Sequence, residues 1–198
     1  MKSNSKISQL LPKINIPRGR CRTALIIALW ASNSYSQMGF TVYPTEYQIK
    51  AKYLYNFARF VDWPEESFQS PDSPFVIGII GNDPYGIDLE KTIEGKQIKN
   101  RKFIIRHYQS LENLSSCHIL FIGADIRAWR SQIFNRIKNK CILTVGDDDH
   151  FVKEGGMINF VIQKKRIRFE INREAVKQSR LKMSTKLLKM AVIIEPST

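Results

Sequence analysis

The sequence predicts an α/β fold, a single domain with a largely parallel central sheet flanked by helices and a C-terminal antiparallel hairpin. Three observations carry this reading. Phe75–Ile80, Cys117–Ile122 and Cys141–Val145 are short apolar runs of the kind found in strands buried on both faces. Segments with helical apolar spacing alternate with them, the pattern of strand–helix–strand units. Near the end of the chain, two strand-like runs are separated only by Lys164-Lys165, which reads as a hairpin.

The elements follow in order. Thr45-Glu46-Tyr47-Gln48 has the form of a capping box and opens a helix to about Val61. Tyr47, Ala51, Leu54, Ala58 and Val61 form its apolar stripe, widened by Tyr53, Phe57 and Phe60, and Trp63-Pro64 ends it. After the strand Phe75–Ile80, Asp83 is expected as N-cap and Pro84 as the first residue of a short helix reaching Ile93. Lys102–Tyr108 is a second strand, Ser110–Leu114 a helical turn and Cys117–Ile122 a third strand. A helix from Ile126 to about Lys138 should face Trp129, Ile133, Phe134 and Ile137 inward. Cys141–Val145 is the fourth strand, followed by the polar loop Gly146–His150. Gly155-Gly156 introduces the hairpin Met157–Gln163 and Arg166–Asn172, and short helices over about 173–179 and 184–192 finish the chain.

Residues 1–36 differ from the rest. They hold six Lys or Arg and no Asp or Glu, then the apolar run Thr23–Ala31, then small and polar residues. This is the pattern of a cleavable signal peptide, with Ser34 and Ser36 at the −3 and −1 positions of a cut near Ser36. The apolar run is about half the length that crosses a bilayer. Residues 37–44 then form a short linker and 45–195 the folded domain, exported from the cytoplasm. The whole chain carries a formal +13; residues 37–198 carry 25 basic and 18 acidic side chains, a net +7. The composition, 43% hydrophobic and 25% charged, excludes a disordered or fibrous chain. No nucleic-acid-binding signature appears.

Three groups of residues are candidates for chemistry or binding. Asp83, Asp125 and Asp147-Asp148-Asp149 follow strand ends, where α/β sheets bind ligands. They suit a hard cation, and equally well helix caps and a solvated loop. Cys117 and Cys141 start strands flanking one crossover; they pair as a disulfide if those strands are neighbours in register, or remain free core thiols. The third group is the hairpin. Gly155 and Gly156 shape its entry, Asn159 lies on its first strand, and Arg166, Arg168, Glu170 and Asn172 share one face of its second, opposite Ile167, Phe169 and Ile171. That polar stripe is either a partner- or ligand-binding surface or a solvated outer face. No catalytic constellation, metal site or cofactor motif is recognised.

Six segments resemble the YfiR-like family in order: Ala51–Pro64, Cys117–Ile122, Leu143–Asp147, Gly155–Phe160, Arg168–Asn172 and Ser184–Leu188. The resemblance covers about residues 45–195. It implies a periplasmic α/β protein that is not an enzyme and needs no cofactor. The best-known member represses a membrane-bound diguanylate cyclase by binding its periplasmic sensor domain, and relief of repression raises cyclic di-GMP. Relatives form dimers and rely on disulfides, for which only Cys117 and Cys141 are available here after cleavage. The expected partner is thus the periplasmic domain of such a cyclase or a similar sensor, bound by a homodimer through Gly155, Gly156, Asn159, Arg168, Glu170 and Asn172. The alternative is a periplasmic solute-binding or metal-dependent enzyme using the strand-end Asp cluster.

Overall fold

The computed structural model describes residues 44–195. The signal segment 1–36, the cut near Ser36 and most of the 37–44 linker lie outside the described residues. Helix α1 (Glu46–Phe60) opens with the predicted capping box: Thr45 Oγ1 accepts from the Gln48 amide, and Gln48 Oε1 accepts from the Thr45 amide. The chain continues through β1 (Val61–Asp62), β2 (Phe75–Ile80), α2 (Ile87–Ile93), β3 (Gln97–Ile98) and β4 (Arg101–Tyr108). Then come β5 (Ile119–Ile122), α3 (Arg130–Ile137), β6 (Leu143–Gly146), β7 (Ile158–Gln163) and β8 (Arg166–Asn172). It ends with α4 (Arg173–Gln178), β9 (Lys182–Met183), α5 (Thr185–Met190) and β10 (Val192–Ile194).

Eight strands form one sheet in the order β10-β8-β7-β6-β5-β2-β4-β3. The five from β4 to β7 are mutually parallel, β3 is antiparallel to β4, β8 is antiparallel to β7, and β10 runs parallel to β8. The α/β class and its late hairpin are as the sequence predicts. Each face of the parallel strands carries its own core. On one side, Leu54 and Phe57 of α1 pack with Phe75, Ile77, Phe121, Val145, Phe160 and Phe169. On the other, Ile133 and Ile137 of α3 pack with Val76, Leu120, Ile122, Ile142 and Phe151. Each fully buried large apolar side chain contributes about 1.5–3 kcal/mol.

Four local expectations are corrected. Asp83 does not start a helix: its Oδ1 accepts from the amides of Tyr85 (2.8 Å) and Gly86 (3.2 Å), making a turn, and the φ of +47° at Gly86 delays α2 to Ile87. Residues Ala124–Trp129 form 3-10 turns interrupted at Ile126, so α3 begins only at Arg130 and Trp129 points outward, 51% exposed. The last helix stops at Met190, because Val192–Ile194 is extended and pairs with Glu170–Asn172; β10, not the hairpin, is the sheet edge. The anticipated Cys117–Cys141 bridge is absent, and both are free thiols. Each precedes the regular strand that follows it, and the two turn into different cores, Cys117 against Val76 and Leu120 and Cys141 with Leu143 and Met157. Burial pushes the Cys117 thiol up to about 12, and its Sγ donates to the Leu114 carbonyl.

The segment before β2 is held by two buried bases. Arg101 donates to the carbonyls of Ser70 and Ser73, both at 2.8 Å, and lies 3.8 Å from the Phe68 ring centroid. His118 is stacked between Phe68 and Phe75. Its Nδ1 accepts from the Val76 amide, so the proton sits on Nε2, which donates to the Ser67 carbonyl. Burial, with the nearby Arg101 charge adding to it, lowers the His118 pKa from 6.5 to about 4, against the raising effect of the Ser67 contact. The folded protein therefore binds this proton less tightly than the unfolded chain. The associated stability is complete above about pH 6.5 and lost as pH falls toward 4, on the order of 3 kcal/mol in all. Urea unfolding at pH 7 and pH 5 should show this loss, and His118→Phe should flatten the dependence. An unchanged slope in the variant would contradict the assignment.

Candidate partner-binding surface

The surface is built from the loop between β6 and β7. That loop folds around Phe151, which is fully buried. A Cβ at Gly146 would lie 2.3 Å from the Phe151 ring and one at Gly156 2.1 Å, so glycine is required on both sides of it. Gly155 has φ +106°, open only to glycine at low cost. Gly156 thus serves packing around Phe151, and Gly155 the backbone turn just before it.

Arg130, at the start of α3, fixes the same loop. It is 1% exposed, and its guanidinium carbon lies 5.0 Å from the Phe151 ring centroid. One of its terminal nitrogens, Nη1, donates to Glu154 Oε2 at 2.5 Å; the other, Nη2, donates to Asp148 Oδ2. Arg127 also binds Glu154. Burial tends to raise the Glu154 pKa, but hydrogen bonds from Arg127 and Arg130 outweigh it and hold the carboxyl below its usual value. On the α1 side, Asp147 accepts from Lys50 at 3.2 Å, and Lys50 also pairs with Glu46 at 2.6 Å. Burial disfavours the Lys50 ammonium, yet the two carboxylates prevail and its pKa is raised.

The predicted polar stripe is divided by this scaffold. Asn159 is fully buried; its Oδ1 accepts from the Asp148 amide at 3.1 Å and its Nδ2 approaches Glu170 at 3.5 Å. Asn172 caps α4 through the Ala175 amide and donates to the Val152 carbonyl at 2.8 Å. Gly156 and Asn159 are therefore internal, Asn172 and Glu170 are partly buried, and Gly155 is exposed at the end of the loop. Arg168 is exposed opposite Val161, and Arg166 is exposed opposite Gln163. No residue of β7, β8 or β10 joins the core beneath α3. The sheet face around Val161, Gln163, Arg166 and Arg168 is consequently left uncovered by that helix.

The strand-end carboxylates are not gathered together. Asp83 meets His107 at 2.9 Å, Asp125 accepts from the Asn82 amide at 2.9 Å, Asp147 binds Lys50 and Asp148 binds Arg130. Among the described residues, no group of three His, Cys, Asp or Glu side chains is placed to hold a metal ion. Sequence reasoning missed Lys50 and Arg130. Both carried a signal: Lys50 lies three residues past Tyr47 and four before Leu54 on α1's apolar stripe, and Arg130 precedes Ile133 and Ile137 by three and seven residues.

Residues 47–192 match the YfiR/HmsC-like family, a span that contains the whole parallel sheet, the hairpin and α5. No curated protein matches the chain. Removing Arg130 would leave two carboxylates without their buried partner. Arg130→Ala is expected to cost about 3–5 kcal/mol in chemical denaturation, and Arg130→Lys a substantial part of that because the fork geometry is lost. A loss below about 1 kcal/mol for the alanine variant would remove the clamp from the account.

Proposed function

This chain belongs to the YfiR/HmsC-like family, and from that membership we propose that it is an exported regulatory protein that restrains a membrane-bound diguanylate cyclase by binding the cyclase's periplasmic domain. The family is one of periplasmic regulators and not of catalysts. The observation that carries the proposal is the extent of the match, which takes in nearly the entire folded domain. The working form begins near Gln37, after removal of the signal segment, and acts as a homodimer. Inhibition is by population shift: the bound protein favours an inactive arrangement of the cyclase, to the extent that it binds that arrangement more tightly.

The contact surface on this reading is the uncovered hairpin face. Arg168 and Glu170, expected there from the sequence, keep their place at its centre and inner margin, and Arg166 joins them. Gly155, Gly156, Asn159 and Asn172 act at one remove, by holding the hairpin in position. A rigid two-stranded platform loses little entropy on binding, which favours affinity.

Titrating the exported, processed protein against the periplasmic domain of a cyclase encoded beside it tests the proposal. Binding at micromolar or lower concentration is expected, weakened at least tenfold (about 1.4 kcal/mol) by Arg168→Glu. Absence of binding would refute the cyclase partner. Unchanged binding by the variant would move the contact away from the hairpin.

A further inference from the structure

Beyond residue 36, the net charge is confined to one part of the chain. Residues 37–163 carry fifteen basic and fifteen acidic side chains, whereas residues 164–195 carry ten basic and three acidic. The whole +7 therefore belongs to the hairpin turn, β8 and the elements after them. Some of this charge is matched internally: Arg173 by Glu195, Lys177 by Glu174 and Arg180 by Glu66. Lys164, Lys165, Arg166 and Arg168 have no ion-pair partner among the described residues.

Those four cations crown a projecting arm. β7 pairs with β6 at only two positions, Val145 with Ile158 and Gly146 with Asn159. Phe160–Gln163 and their partners Arg166–Phe169 continue past the end of β6 as a two-stranded ribbon, reaching roughly 13 Å at the usual strand rise. At its base, Phe160 and Phe169 lie under Tyr53 and Phe57 of α1. Two cross-strand pairs further out, Ile162 stands opposite Ile167; Ile162 is 64% exposed and Ile167 partly buried. Beyond them come the pair Gln163–Arg166 and the turn, where Lys164 and Lys165 both have positive φ.

We infer that this tip seats on an anionic phospholipid surface, with Ile162 entering the headgroup layer and Lys164 and Lys165 against the phosphates. An exposed apolar side chain, Ile162, directly beside unmatched cations is the combination found in segments that lie in a membrane interface. A protein partner of standard affinity needs about 800 Å² from each side, and a narrow convex tip of six residues is a poor source of it. A lipid surface asks for no shape complementarity, and each Lys or Arg near an anionic leaflet adds attraction of its own. Lysine suits phosphates that move laterally, because its point charge needs no fixed fork geometry. This inference stands apart from the cyclase reading, since lipid binding requires no protein partner.

The test is co-sedimentation of the exported, processed protein with vesicles of phosphatidylcholine alone or mixed with phosphatidylglycerol. Binding is expected only to the mixed vesicles, and it should weaken as salt is raised. The double variant Lys164→Asn/Lys165→Gly removes both turn charges while supplying residues that favour positive φ, so its melting temperature should not fall. Its vesicle affinity should drop roughly 30-fold, from about 1 kcal/mol per removed charge. Ile162→Ser should weaken binding as well. No binding to the mixed vesicles, or equal binding by the double variant, would overturn the inference. So would a double variant that keeps its lipid affinity and loses only its affinity for the cyclase domain, which would make the tip a protein contact.

Discussion

A guanidinium that is 1% exposed must find carboxylates, and the way Arg130 finds them sets the geometry on which the exposed surface depends. Its two partners, Asp148 and Glu154, lie at opposite ends of the loop that leaves β6 and returns as β7. Holding both closes the loop around Phe151, and Gly146 and Gly156 yield the space for that ring. Asp148 then presents its amide to Asn159, which fixes the start of β7 and, through Glu170, its pairing with β8. A buried ion pair of this kind adds little net stability over a well-packed apolar replacement, so its contribution is to specify one loop conformation.

The two faces of the sheet have separate tasks. The α1 face supplies most of the apolar burial and anchors the base of the hairpin through Tyr53 and Phe57. The α3 face carries the Arg130 clamp and ends at β6, leaving the outer strands uncovered on that side. Lys50 ties the two sides together, since it leaves α1 to meet Asp147 in the same loop that Arg130 grips from α3. The hairpin is thus rigid at its base and free at its tip, an arrangement suited to presenting side chains to something outside the domain.

Much of the architecture was legible because its signals are local. The capping box at Thr45, the apolar runs of β2 and β5 and the two-residue spacing of the hairpin each depend on residues close in sequence. The misreadings share a different cause. Asp83 makes the amide contacts of an N-cap, but the backbone of Gly86 turns the chain away before a helix can follow. Val192–Ile194 is too short a run to tell strand from helix end, and only β8 decides it. The cysteines would be neighbours if both strands extended back from the Ile119–Leu143 pair, but Cys117 closes a 3-10 turn ahead of β5, where the alternation of faces breaks, and its side chain enters the other core. The inward role of Asn159 and Asn172 depends on partners in another loop, Asp148 and Val152, which no periodicity encodes.

The chain belongs to a family of periplasmic regulators, and four of its unpaired cations stand on one projecting hairpin. The central functional claim is that the protein lowers the output of a diguanylate cyclase. The most direct measurement is cellular cyclic di-GMP after deletion of the gene and after its restoration. The account predicts a rise on deletion and a return to the starting level when the intact protein is supplied. An unchanged cyclic di-GMP level in the deletion strain would contradict it.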